Sequence, residues 1–431
     1  MSFPKYPNYK PSGVDWLGDV PAHWEVSALK RCFQILGGST PKSENDLYWD
    51  GNIPWATPAD LSKLPSIYIY DTQRKITQDG LNSCNTSLAP AGSIILSTRA
   101  PIGSLAIAGI PMSTNQGCKT LVPRADSNSK FFAYLLSIST KELNIRGKGT
   151  TFLELSADEL GSFGIPFPPL PEQTQIAEFL DRETGKIDAL VAEQRRLMEL
   201  LKEKRQAVIS QAVTRGLNPQ APLKPSGIPW LGDVPAHWEV KALKHLATLT
   251  TGITPPTEDR DNYADDEGFP WIRPEDLDES GKPTHASKFL TEKGWGYVRH
   301  IKPFSTLICC IGTIGKLGFT DCSVSTNQQI TAAEFQQCSR YFYYALQSAK
   351  TELEVTSTGN VLRILNTERL GNIRFAAPPR KEADEIAGVL DTATAKFGAL
   401  IAEAQCAIDL LQERRTALIS AAVTGQIDAH N

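Results

Sequence analysis

At 431 residues the chain is too long for one ordinary domain, and two or three are expected. Its 41% apolar and 21% charged residues are those of a globular protein, and no apolar run approaches the ~20 residues that span a bilayer. A net charge of −4 excludes a chain that holds nucleic acid by bulk electrostatics, so any such contact must rest on local basic faces.

The opening segment, "MSFPKYPNYKPSG", lacks the apolar core of a secretion signal. The eight cysteines form no CxxC pair and read as reduced core residues of a cytoplasmic protein. "SGVDWLGDVPAHWEVSALK" then runs from Ser12 to Lys30, and nearly the same signature runs again from Ser226 to Lys244. The repeat extends further. Thr40-Pro41 matches Thr254-Pro255, "IPWATPADL" from Ile53 answers "FPWIRPEDL" from Phe269, and "STNQ" occurs at Ser113 and at Ser325. Gly149 matches Gly359, Leu160-Gly161 matches Leu370-Gly371, and Pro168-Pro169 matches Pro378-Pro379. Solenoid repeats are only ~20–50 residues long, so this is a duplicated domain.

Between signature and proline pair, each copy carries short β-rich runs such as "GSIILST", "TLICCIG" and "KLGFTD", broken by Gly, Pro, Asn and Asp. Residues 129–144 and 339–354 each read as one amphipathic helix. After the proline pair the texture changes. Residues 172–214 hold an apolar stripe at Ile176, Leu180, Ile187, Leu190, Leu197 and Leu201, with mixed charge elsewhere. The second copy repeats it over about 382–424, with Ile386, Leu390, Leu400 and Leu411. Helices of this length need a long partner to pack on, and Gly216 and Gly425 supply stop signals.

The expected fold class is therefore α+β: two tandem globular domains, 1–171 and 216–380, joined by two long antiparallel coiled-coil helices, 172–215 and 381–427. Two like halves most simply pack about a pseudo-two-fold axis, which predicts a dumbbell with one globule at each end of a rigid spacer.

Catalytic motifs are missing. There is no GxxxxGK[ST] phosphate loop, and "FPPL" and "APPR" lack the Asn or Asp that precedes Pro-Pro in amino-methyltransferase sites. "EDRDNYADDE" lacks EF-hand spacing and reads as a solvated loop. His23 and His237 are equivalent in the repeat, have no metal-site neighbours in sequence, and read as structural. Trp16, Trp24, Trp230 and Trp238 lie in the most invariant part of the repeat. Residues that read sequence should differ between copies, so these four read as scaffold.

The paired "WLGDVPAHWEV", the "STNQ" turns and "PPLPEQ" leading into a long helix resemble the specificity subunit of type I restriction–modification systems. The resemblance covers both halves. It implies that each globule is a target recognition domain for one half of a split site in double-stranded DNA. It implies spacer helices that dock two modification (methyltransferase) subunits, with restriction (translocase–nuclease) subunits completing the complex. S-adenosylmethionine, ATP and magnesium then belong to the partners, and this chain is non-catalytic. The second copy departs at "APPRKEADEI", where "PLPEQTQI" is the pattern.

Bases are read by Arg, Lys, Asn and Gln, and phosphates are held by basic, hydroxyl and backbone groups. In the first globule this points to Arg74, Lys75, Arg99, Lys119, Arg146, Lys148 and Thr150. In the second it points to Arg273, Arg299, Lys302, Lys316, Asn360 and Arg363. The loops "GKGTTF" and "STGNVL" are the strongest groups. A scaffold that binds two protein partners and no nucleic acid remains the alternative, and an enzyme in its own right is a third.

Overall fold

The computed structural model describes residues 3–429 apart from 65, 100, 149–152, 266 and 360–361. The chain packs as two compact units, one running to Glu193 and taking in the chain again from Ile408, the other formed by Gln194–Ala407. The division falls inside both long helices.

The first unit is built on a five-stranded sheet in the order Phe33–Gly37, Cys118–Pro123, Ile94–Ser97, Leu105–Ala108, Tyr68–Ile69. Its pairs are antiparallel except the last, where Tyr68 pairs with Ile107 in parallel. Ile94–Ser97 lies in the middle and is buried along its whole length, which is why that run is apolar without alternation. A smaller sheet places Trp49–Ala56 between Lys75–Ile76 and Ser113–Thr114. The second unit repeats this plan. Ala247–Thr251, Ile330–Phe335, Thr306–Cys309 and Leu317–Phe319 form one antiparallel sheet. Phe269–Ile272 again takes the "STNQ" strand, Ser325–Thr326, in parallel.

Residues 129–144, expected as one helix, form two: Ser129–Ile138 and Thr140–Arg146. The second copy breaks likewise, into Ser339–Ser348 and Lys350–Thr356. The reason is local. Ser139 is buried, its hydroxyl donates to the Leu135 carbonyl at 2.8 Å, and its N–H turns to Leu136 at 3.1 Å, so the chain is re-aimed. Ala349 reaches the same bend with its N–H shared between Ala345 and Leu346.

The long helices run Leu170–Arg215 and Arg380–Val423, 46 and 44 residues. Gly216 and Gly425 end them at φ +75 and +72, a backbone that L side chains resist. Each unit contains a piece of both. In the first unit Ile176, Phe179 and Leu180 share the core with Ile419, Ala422 and Val423. Glu172 lies against Trp24, which abuts Gly425, while Asp188 pairs with Arg415 at 2.9 Å, so the two segments run antiparallel. In the second unit Ile209, Ala212 and Val213 meet Ala383, Ile386, Ala387 and Leu390. Gly216 approaches Glu382, and Lys202 and Arg205 line one cavity with Thr394 and Ile401, again antiparallel.

Of the stripe residues, Ile176, Leu180, Ile386 and Leu390 are fully buried in their own unit. They anchor the helices and are not available to another chain. Leu190, Leu197 and Leu400 stand 46%, 43% and 47% exposed, and Leu201 and Leu411 are half-buried.

One clamp recurs where short helix meets long helix. Tyr134 donates to Asp181 at 2.8 Å and lies 3.3 Å from the Thr184 hydroxyl, and Lys130 pairs with the same carboxylate. Tyr344 donates to Asp391 at 2.6 Å, lies 3.1 Å from Thr394, and Arg340 pairs with that carboxylate at 2.7 Å. Burial, with the Asp181 or Asp391 carboxylate adding to it and the threonine hydroxyl opposing it, pushes both phenols up to about 12.

Candidate nucleic-acid interface

The four signature tryptophans pack. Trp24 and Trp238 are wholly buried, Trp16 stacks on Phe163 at 5.3 Å, and Trp230 meets Phe375 edge-on at 5.5 Å. His23 and His237 bond Glu172 and Glu382 at 2.9 and 2.7 Å, tying signature to helix start. That tie survives in "APPRKEADEI", because Glu382 stands where Glu172 does and the helix begins at Arg380. No cluster suited to a metal ion occurs among the described residues. Asp259 of the acidic loop instead pairs with Lys293 at 2.7 Å, which holds its carboxyl below the usual range.

The two copies differ in strands and helices as well as loops, and the loops stand at equivalent places on the scaffold. The "STNQ" turn is one anchor. Gln116 bonds Thr40 and Gln328 bonds Thr254. Gly38 and Gly252 lie so close to the turn backbone that a Cβ would meet Asn115 O at 1.9 Å and Thr326 O at 2.2 Å. The segment after the central strand packs beside that turn, through Thr98 N to Gly117 O at 2.8 Å and Cys310 N to Gln329 O at 2.7 Å. A hairpin then covers the segment. Lys148 and Glu154 exchange both backbone bonds at 3.0 Å, and Thr358 and Ile364 do so at 2.9 and 2.7 Å.

Around the first hairpin the structure gathers three of the expected cations. Arg99 donates to both Glu154 oxygens at 3.0 and 2.9 Å. Lys148 pairs with Glu159 at 2.6 Å, holding that carboxyl below its usual range, with a smaller coulombic pull from Arg146. Arg146 lies 5.4 Å from the Phe163 ring. Lys119 lies on the neighbouring strand beside Gly37. Lys75 belongs to the smaller sheet, and Arg74 precedes that strand. Arg74 sits 3.5 Å over the Trp49 ring, and Lys75 pairs with Asp71 at 3.0 Å.

In the second unit Arg363 lies in the hairpin, its carbonyl bonded to Gly312 N at 3.2 Å. Lys316 donates to Pro274 O at 2.7 Å, next to Arg273, which pairs with Glu275 at 2.7 Å and donates to Ser287 at 2.9 Å. Arg299 donates to Thr251 O at 3.0 Å, and Lys302 faces Glu334 at 3.7 Å, so neither belongs to the hairpin cluster. Thr150 and Asn360 lie outside the described residues. Sequence reasoning missed Glu154 and Glu159, the carboxylates that hold two of the cations. The opposite charges of Lys148 and Glu154 on either side of a short glycine-containing stretch of sequence were the available signal.

The fold is thus that of a duplicated α+β recognition scaffold carried on long helices. Residues 21–197 and 235–405 match the type I restriction modification DNA specificity domain, and the chain belongs to that family. It is 30% identical to the type I restriction enzyme MjaIX specificity subunit of Methanocaldococcus jannaschii over 64% of this chain and 63% of that protein. It is 26% identical to the putative MjaX specificity subunit of the same organism over 90% of each chain. A chain solved in work on the complex assembly and conformational transition of the type I R-M system shares the fold at TM-score 0.73, covering 94% of this chain and 98% of that one, with 15% identity. The HsdS subunit from Thermoanaerobacter tengcongensis matches at 0.52 over the same shares, with 16% identity.

Proposed function

We propose that this chain is the non-catalytic DNA-specificity subunit of a type I restriction–modification complex. Each recognition domain, 1–171 and 216–380, reads one half of a bipartite double-stranded site. The observation that carries this is one backbone scaffold present twice, with unlike side chains at equivalent loop positions. Equal heads would read a palindrome, whereas unlike heads read two unrelated half-sites. The residues that meet DNA are Arg74, Lys75, Arg99, Lys119, Arg146, Lys148 and Thr150 in the first domain, then Arg273, Arg299, Lys302, Lys316, Asn360 and Arg363 in the second. Two modification subunits dock on the long helices, where Leu190 in the first unit and Leu197 and Leu400 in the second are exposed, and restriction subunits join the complex. S-adenosylmethionine, ATP and magnesium serve those partners, in the cytoplasm.

Exchanging residues 31–165 for those of a relative tests the reading. Methylation mapped in cells carrying the intact system should change in one half of the motif only. A change in both halves, or in neither, defeats it. The helices set the gap between half-sites. Removing four residues, about one turn, from the central helix should therefore alter that gap or abolish assembly. Full activity with an unchanged gap would refute the spacer role.

One observation favours a protein-binding scaffold instead: Lys75, Arg99, Lys148, Arg273 and Lys302 already have carboxylate partners. Gel shifts of the reconstituted complex separate the two readings, because phosphate contacts make affinity fall steeply with salt.

A further inference from the structure

The two hairpins are closed by the same pair of bridges and yet carry opposite chemistry. In the first domain Glu154 bridges both Lys148 and Arg99. In the second Ile364 bridges both Thr358 and Ile311. Position 99 therefore corresponds to 311, and 154 to 364. The next bond is retained too, Leu155 N to Thr98 O at 2.9 Å and Leu365 N to Cys310 O at 2.8 Å. An ion pair in one domain is replaced by two isoleucines in the other on an unchanged backbone.

Folding does not explain the ion pair. Its side chains are 42% and 41% exposed, and exposed pairs contribute little stability. The second domain closes the same bridge without it. What the pair does is fix a guanidinium. Both Glu154 oxygens are taken by Nη2 alone, at 3.0 and 2.9 Å. Among the described residues Nε and Nη1 of Arg99 have no partner and the side chain is 42% exposed, so guanidinium donors other than those facing Glu154 are left for a ligand. A planar fork with donors in fixed directions matches the O6 and N7 acceptors of guanine in the major groove.

We propose that Arg99 is a specificity-determining residue that reads a guanine in the half-site of the first domain, and that Glu154 is its positioning residue. This rests on the DNA-specificity reading above. The test transplants the second domain's pair, Arg99→Ile with Glu154→Ile, into the full chain, expressed with its partner subunits. Methylation is then mapped genome-wide against the unaltered system. The expected result is loss of preference, roughly tenfold or more, at one guanine of one half-site. That half-site should be the one that moves in the 31–165 exchange, with the other half and the gap unchanged. An unaltered motif, or a change in the other half, overturns the proposal while leaving the bipartite reading standing. Absence of any bipartite motif for the unaltered system removes both. Should the double variant not methylate at all, Arg99→Lys decides. It keeps the charge but loses the fork, and should blur the same guanine, so an unchanged motif with Arg99→Lys counts against Arg99. Glu154→Gln should weaken preference at that same guanine and no other, and a Glu154→Gln motif identical to the unaltered one ends the positioning role.

Discussion

Gln173 shows how much a single residue ties together. It is fully buried at the start of the central helix. Its side chain accepts from Asn128 N at 2.8 Å and donates to Pro168 O at 2.8 Å and Asp126 O at 3.1 Å. Asn128 in turn caps the helix that begins at Ser129. In the second copy both partners change together. Ala383 takes the glutamine's place, and Cys338, at φ +56 and without a capping bond, takes that of Asn128. Gln173→Ala strands one donor and two acceptors, so it should lower stability by about 2–4 kcal/mol. Urea unfolding of the variant checks this, and a loss under 1 kcal/mol would mean the network is expendable. The departure at "APPRKEADEI" was legible in the sequence. Its partner at Cys338 was not, because the residues meet across more than forty positions and nothing in either segment names the other. The same holds for Arg99 and Glu154, whose pairing depends on a backbone bridge.

Among the elements, the long helices were the most legible, since a proline pair, an uninterrupted apolar stripe and a terminal glycine bracket each one. The stripe misleads at its ends, however, where Ile176, Leu180, Ile386 and Leu390 serve the globules, and only the middle turns stay exposed. A 3.6-residue period marks a face without saying what covers it. Replacing Leu190 and Leu197 by serine should leave the melting of the isolated chain nearly unchanged, because exposed sites seldom shift stability beyond about 0.5 kcal/mol. The same variant should bind the modification subunit at least tenfold more weakly by calorimetry. Equal affinity would move the docking face elsewhere. The short helices were half legible. Their apolar pattern is continuous through Ser139 and Ala349, and the break comes from a hydroxyl-to-carbonyl bond in one copy and a shared N–H in the other.

At the scale of the molecule the two units have equal plans and unequal finish. In the first, Trp16 donates its indole N–H to Gly164 O at 3.2 Å, Trp24 to Glu172 at 2.9 Å and Trp55 to Ser39 O at 3.0 Å. Their counterparts Trp230, Trp238 and Trp271 find no acceptor among the described residues. Every other buried side-chain polar atom left without a partner among those residues, from Asn262 to Gln347, also belongs to the second unit. A buried donor left unpaired costs about 1–3 kcal/mol, which predicts a smaller folding margin for the second unit. Hydrogen exchange should report it. Amides of Thr306–Cys309 should exchange at least tenfold faster than those of Ile94–Ser97, the equivalent central strand, which corresponds to about 1.4 kcal/mol of opening free energy. Trp238→Phe, which removes the unpaired N–H, should narrow the gap, while Trp24→Phe, which breaks a made bond to Glu172, should lower protection in the first unit. Equal protection of the two strands in the unaltered chain would mean that the orphaned groups of the second unit are satisfied in solution and that the two copies are matched in stability as well as in plan.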